Sequence, residues 1–317
     1  MAPRTIELHG PRLGPPLVFI PLQVSDEVRG EVLAVSQVLR PGLPARLPSA
    51  DNWRAWLAQL VADSAALPGY ATLKYSKSGE VFRARIGGEN EKPLEVVCRF
   101  SRSGGVGDSI LNRASRGRRN FRRAVQLLHA GIDTAIPLAR MERIARPRSS
   151  WLVTEFVGDV VDLDQIVLTL LSHLDRNAVR KVKATLTGAL VELFARLDGA
   201  RLYHRDLKAS NILFTHWNGR EGPARTMLVD LDGLHHRRWW NGRRRWQPLI
   251  RLAASLRDYP ALSRTDFVRF LHQHLSRVGT PTADWKACFR RFAREAAGYA
   301  QRSQRRKSHK LDGFTGG

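Results

Sequence analysis

Cysteine is nearly absent. Cys98 and Cys288 are the only two in 317 residues, which excludes a disulfide scaffold and any multi-cysteine metal site and points to a reducing, cytosolic compartment. Long apolar runs are missing as well, for nothing approaches the roughly 18 uncharged residues of a membrane span. The stretch Leu13 to Ser25 is broken by three prolines, and Gln165 to Leu174 is too short. Met1-Ala2-Pro3-Arg4 does not open the contiguous apolar segment of a signal peptide. Acid is scarce: 29 Asp+Glu face 52 Lys+Arg, a formal net charge of +23 and a pI near 11.3. Such an excess implies a polyanionic neighbour, whether nucleic acid, a phosphorylated substrate or an anionic membrane surface.

What is present reads as an ordinary globular chain, 43% hydrophobic and 26% charged. Its length suggests two domains or lobes. Positive charge is concentrated: from Leu234 onward 19 Lys+Arg meet 5 Asp+Glu, and Arg113 to Arg123 holds six arginines and no acid. Residues 1–50 carry eight of the sixteen prolines and are expected to be an N-terminal extension, with one short helix over Asp26 to Leu39. Compact structure is expected from Asp51, as N-cap of a helix over Trp53–Val61.

Three strand-like runs follow, Tyr70–Tyr75, Glu80–Ile86 and Leu94–Phe100, separated by Lys77-Ser78-Gly79 and Gly87-Gly88-Glu89-Asn90. A basic helix from about Asp108 to Ala130, closed by Gly131, and two strands near Ile136–Arg140 and Trp151–Phe156 complete a mostly antiparallel sheet with one helix. The rest is helical: Val179, Val182, Leu186, Leu190, Leu193 and Leu197 form an apolar stripe on a helix of about 22 residues.

The decisive segment is His204-Arg205-Asp206-Leu207-Lys208-Ala209-Ser210-Asn211, followed by the apolar Ile212-Leu213-Phe214. It matches the kinase catalytic loop H-R-D-L-K-x-x-N. In that pattern Asp206 accepts the proton of a substrate hydroxyl during phosphoryl transfer, and Asn211, five residues on, folds back to hold a magnesium ion. Lys208 would offset charge on the transferred phosphate, with His204 and Arg205 bracing the loop. The loop predicts a second metal-binding Asp after the next strand. Thr226-Met227-Leu228-Val229 leads into Asp230-Leu231-Asp232-Gly233, so Asp230 takes the place of the D-F-G aspartate and Asp232 becomes a second carboxylate.

From Trp151 to about Leu275 the chain resembles the bacterial lipopolysaccharide core kinases, which phosphorylate heptose or 3-deoxy-octulosonate sugars and share the protein-kinase fold. Tyr203 to Asp206, Leu228 to Asp232, Leu252-Ala253-Ala254-Ser255-Leu256-Arg257-Asp258-Tyr259-Pro260, Leu262 to Asp266 and Phe270-Leu271 carry the resemblance. It implies a two-lobed α+β fold and an ATP-dependent, magnesium-requiring sugar kinase at the inner face of the cytoplasmic membrane. The lobes would span 51–157 and 158–300, with 301–317 a disordered basic tail. Glu155-Phe156-Val157-Gly158 would be the hinge whose backbone meets adenine. Asp162 or Asp164 would contact a ribose or sugar hydroxyl, or cap a helix.

Against this pattern stand three more absences. The third strand, Glu95-Val96-Val97-Cys98-Arg99-Phe100, has no lysine to position the α- and β-phosphates; Cys98 or Arg99 falls at its place. The Asp108–Ala130 helix has no glutamate, Asn120 standing about where one belongs, and Gly79 alone represents the Gly-rich loop. Either Arg99, Lys74 or Lys77 supplies the missing cation, an exchange that is not neutral for a guanidinium, or the protein is a pseudokinase scaffold. The lack of an A-P-E triplet after Asp230 weighs against a Ser/Thr protein kinase. The run His235 to Trp246 interleaves arginine with tryptophan, as an anionic membrane surface or, less readily, a nucleic acid would suit.

Overall fold

The computed structural model describes residues 4–6, 17–33, 48–76, 78–87, 93–102, 115–143, 148–215, 225–236, 242–279 and 285–312. The chain divides into two compact units, Met1–Val157 and Gly158–Gly317. Of the sequence expectations, Lys77, most of the Gly87–Asn90 turn, the Asp108 end of the basic helix, the Thr215–Arg225 connection and the Arg237–Asn241 part of the Trp-rich run lie outside the described residues.

The first unit is built on one antiparallel sheet of eight strands. Its strands are β1 (Arg4–Ile6), β2 (Leu17–Gln23), β3 (Val28–Leu33), β4 (Ala71–Ser76), β5 (Gly79–Ile86), β6 (Leu94–Arg102), β8 (Pro137–Arg143) and β9 (Ser149–Glu155), in the order β1-β2-β3-β8-β9-β6-β5-β4. A two-residue strand, β7 (Asp133–Thr134), precedes β8. Residues 17–33 are therefore part of the sheet rather than an extension, and the helix expected over Asp26 to Leu39 is replaced by β3. The prolines at 15 and 16 stop short of β2, while Leu17, Phe19, Val28, Val32 and Leu33 are buried. The alternation of a half-buried strand, not proline content, decided the local structure. Among the described residues this unit has the α-helices α1 (Ala50–Ala62) and α2 (Arg116–His129). Ser49, not Asp51, caps α1 by accepting from Asn52 N; Asp51 lies in the first turn and pairs with Arg54 at 2.6 Å. Trp53, Trp56, Leu57 and Leu60 of α1 join the core, and Trp56 Nε1 donates to the Arg85 carbonyl at 2.9 Å. At the end of α2, Gly131 adopts φ 67°. Its N–H and that of Ile132 donate to Leu128 O and Leu127 O, the paired bonds of a Schellman closure.

The second unit is mainly helical: α3 (Leu163–Leu168), α4 (Arg176–Gly199), α5 (Gly242–Leu256), α6 (Arg264–Arg277) and α7 (Trp285–Asp312). The expected stripe on α4 buries Val182, Leu186, Leu190, Leu193 and Leu197. Lys183, on the same helix, reaches Asp266 of α6 at 2.7 Å with both side chains mostly buried. Short strands carry the chemistry: β10 (Val160–Asp162), β12 (Ile212–Thr215) and β13 (Arg225–Leu228) form one antiparallel ladder, and β11 (Leu202–His204) pairs with β14 (Leu234–His236). The tail expected to be disordered is helical as far as Asp312. Arginine, lysine and glutamine are good helix formers, and extending an existing helix costs far less than starting one.

Candidate active site

The catalytic loop is assembled by two adjacent hairpin-like pairings. His204 ends β11 opposite Leu234 of β14, and Ile212 opens β12 opposite Leu228 of β13. The loop between them and the turn after β13 are thereby brought together. Backbone bonds fasten the two: Arg205 N–H donates to Gly233 O at 2.7 Å and Val229 N–H to Asn211 O at 3.0 Å. His204 is buried. Its Nδ1 accepts from Asp206 N–H at 3.3 Å, so the ring proton sits on Nε2 and is donated to the Asp230 carbonyl at 2.9 Å. A Cβ on Gly233 would stand 2.6 Å from His204 Cε1, so only glycine lets this ring through. Asp230 itself lies in the left-handed region, φ 56° and ψ 60°. Few residues other than glycine tolerate that conformation, and it costs energy that the surrounding bonds must offset.

Asp206 is the centre of charge. Its Oδ2 lies 3.0 Å from Lys208 Nζ and its Oδ1 3.0 Å from Arg251 Nη1. Burial alone would raise this carboxyl, but the Lys208 ammonium and then the Arg251 guanidinium outweigh it and hold it below the usual aspartate range. Asp206 is thus a carboxylate at neutral pH, aimed by two cations. Asn211 donates from Nδ2 to the Asp206 carbonyl at 3.2 Å, which leaves its amide oxygen for a cation. From α5, Ser255 Oγ accepts from Ala209 N–H at 3.2 Å, pinning the loop's middle. Arg251 is the residue beside Asp206 that the sequence did not reveal. It lies 45 residues beyond Asp206, beside an apolar run, with no spacing that marks it.

In the first unit, β6 turns Cys98 and Arg99 to opposite faces of the sheet. Cys98 pairs with Phe82 and Val153 and is fully buried, and burial pushes its thiol up. Arg99 faces the other way, in a row that runs Lys74, Val81, Arg99, Leu152, Arg140 across five strands. Lys74 therefore shares a sheet face with Arg99, two strands away. Gly117 of α2 donates to Ser150 Oγ at 3.1 Å, and Ser150 lies opposite Ser101 on that same face, so α2 covers the arginine side. Asn120 of α2 is buried and accepts from Arg123 Nη1 at 3.1 Å. The Glu155 carboxylate is buried and accepts from Ile136 N–H at 3.0 Å, and the Glu155 N–H donates to Ile136 O at 3.0 Å. Among the described residues no group accepts from Val157 N–H.

The structure thus joins Asp206, Lys208, Asn211 and the backbone of Asp230 in one cluster of the second unit, with Asp232 in the turn that follows. Arg99, Lys74, Glu155 and Val157 belong to the first. Asp162 caps α3 by accepting from Gln165 N–H at 2.7 Å. Asp164 accepts from the Tyr259 hydroxyl, whose pKa that bond pushes up to about 12.

A loop with an ionised, cation-aimed aspartate, an asparagine folded back upon it and a left-handed aspartate after the next strand defines a kinase-like phosphotransferase site. The profile of the lipopolysaccharide kinase (Kdo/WaaP) family matches residues 111–287, from just before α2 to the first turn of α7. The chain belongs to that family, whose members are kinases using ATP. A solved structure of WaaP in complex with acyl carrier protein is similar over 77% of this chain and 95% of that one, at 20% identity and a TM-score of 0.57. A ROP18 kinase domain in complex with AMP-PNP and sucrose matches at 14% identity over 74% and 82% of the two chains, with a TM-score of 0.44. No curated protein sequence matches. Among the described residues no helix is long and apolar enough to cross a membrane.

Proposed function

We propose that the protein transfers the γ-phosphoryl group of ATP to a hydroxyl of a lipopolysaccharide core-type sugar at the inner face of the cytoplasmic membrane. The observation that carries this reading is the ionised Asp206, held between Lys208 and Arg251. In the transfer, the acceptor oxygen bonds the γ-phosphorus, the bond from that phosphorus to the bridging oxygen of ADP breaks, and the hydroxyl proton passes to an Asp206 oxygen. Such transition states are loose, so a low-pKa carboxylate suffices, because it orients the hydroxyl and takes its proton late. Lys208 would release Asp206 in part and meet the charge on the moving phosphoryl group.

The donor set suits magnesium. The ion takes oxygen ligands, one or two from protein and the rest from phosphate and water, and the Asn211 amide oxygen and Asp230 carboxylate, with Asp232 behind, are of that kind. Bound there, magnesium would neutralise phosphate charge. Among the described residues no cluster of three or more His, Cys, Asp or Glu forms a cage, which agrees with an ion completed by nucleotide. In the first unit, Arg99, with Lys74 on the same face, would serve the α- and β-phosphates, and the backbone of Glu155 and Val157 would serve adenine. The net charge of +23 supports an anionic membrane surface around a glycolipid acceptor.

The test is a thermal shift of the purified protein with ATP, with and without magnesium, beside Asp230→Ala. Magnesium-dependent stabilisation that the variant loses is expected. No shift at millimolar nucleotide would move the reading to a pseudokinase scaffold. Transfer is then assayed on core sugars with and without acyl carrier protein, the partner in the WaaP structure.

A further inference from the structure

Between α5 and α7 lies an open groove of about 510 Å³, lined among others by Gln247, Arg251, Arg294, Glu295, Tyr299 and Arg302. Arg251 is the wall that it shares with the catalytic loop. One face of that side chain meets Asp206, and its guanidinium carbon stands 4.6 Å from the centroid of the Tyr299 ring. Its Nε is buried and, among the described residues, has no hydrogen-bond partner. Arg294 and Arg302 are exposed, and among the described residues neither has a carboxylate partner. The one acid in the groove, Glu295, is taken by Arg291 at 2.9 Å. Gly298 leaves room for Arg302, whose Nη1 would lie 3.3 Å from any Cβ added there. Among the described residues the groove thus holds three guanidinium groups and no uncommitted negative charge.

We propose that this groove is the acceptor subsite for an anionic group, a carboxylate or a phosphate, on the sugar whose hydroxyl Asp206 receives. The inference rests on the transfer reading above and deepens it by naming the acceptor class. Guanidinium groups bind carboxylate and phosphate through paired, charge-assisted hydrogen bonds. One guanidinium separates the groove from Asp206, so hydroxyl and anion sit on one sugar or on neighbouring ones. The phosphates of ATP have their own cations in Lys208 and the metal site, and the transfer assigns Arg294 and Arg302 no other task. A neutral sugar would leave these charges unanswered, which makes the groove a device for selection as well as affinity.

The full-length protein is assayed with ATP and magnesium on three acceptors: neutral heptose, a heptose phosphate and 3-deoxy-octulosonate, which carries a carboxylate. The double change Arg294→Ser with Arg302→Ser touches two exposed positions. It is expected to raise KM for the anionic acceptor about tenfold or more, the usual weight of hydrogen bonds to charged groups, with kcat within twofold and KM for ATP unchanged. Arg294→Lys with Arg302→Lys should recover most of the loss, and the acceptor that shows the rise identifies the group. An unchanged acceptor KM, or wild-type preference for neutral heptose, overturns the subsite. If the wild type phosphorylates none of the three, the transfer reading fails by itself. The groove is then judged by calorimetric titration of the same sugars with AMP-PNP present. Binding of an anionic sugar that the serine pair abolishes sustains the subsite; no binding, or binding that survives the change, refutes it.

Discussion

The two units keep the kinase pattern to very different degrees. The second retains the residues of the kinase catalytic-loop pattern, Asp206, Lys208, Asn211 and Asp230, with their spacing intact and their backbone tied by buried His204. The first lacks the lysine and glutamate that ordinarily position the other two phosphates, with Arg99 and a buried Asn120 standing near their places. The difference follows from what each task demands. Proton transfer and metal binding need particular atoms within a fraction of an ångström. Attracting a polyphosphate needs positive charge on the right face, which a guanidinium also provides, with different geometry.

The sharpest way to break this comparison is at Asp206. Asp206→Asn should lower single-turnover phosphate transfer by roughly 10²–10⁴-fold, the span of general acid–base catalysis, with an unaltered thermal midpoint. Retained transfer would remove Asp206 as the base. Next comes Arg99: Arg99→Ala should raise KM for ATP by about tenfold or more, the worth of a charge-assisted phosphate contact, while Arg99→Lys keeps most of the affinity. Equal, small effects of both changes would mean that the first unit supplies its cation elsewhere, with Lys74→Ala the variant to follow.

A subtler outcome concerns Arg251. Its guanidinium helps to hold Asp206 below the usual range, so Arg251→Met should raise that pKa. The acid limb of the kcat profile, which falls as Asp206 is protonated, should then move to higher pH, and an unmoved limb would show that Lys208 alone sets it. The smallest expected effect lies outside the site. Asp266 is held low: burial opposes this, but Lys183 and Ser263 outweigh it. A group depressed on folding stabilises the native state above its unfolded pKa and loses that contribution as pH falls through its folded one. Lys183→Met should therefore cost roughly 1–3 kcal/mol at neutral pH, shrink as acid protonates Asp266, and leave KM values alone. Chemical denaturation at two pH values measures it.

How far these features were legible depended on whether they are local. The catalytic loop is a string with fixed spacing, and the bounds of β4, β5, β6 and β9 could be read within two residues, while β8 runs three residues past its expected end at Arg140. The strands β2 and β3 could not be read, because the prolines around them and Pro21 within β2 outweighed a short alternation that only burial beneath neighbouring strands makes decisive. Charge misled at the other end: Arg302 to Lys310 reads as a solvated arm, yet it extends a helix already nucleated near Trp285. Arg251 shows the limit most clearly. Its role exists only because α5 returns to the loop, and no pattern within either segment records that meeting.

The two cysteines give each unit a reporter of its own. Cys98 is sealed in the sheet with a raised pKa, and Cys288 sits half-buried on α7. A thiol reagent can label Cys98 only when the first unit opens, because the thiolate that reacts is suppressed as long as the sheet holds. Cys288 answers to fraying of its helix. Pulsed alkylation followed by mass spectrometry would then time the opening of the first unit beside the fraying of α7, in one sample and without an added probe. It would also tell whether nucleotide steadies the unit that gave up its lysine.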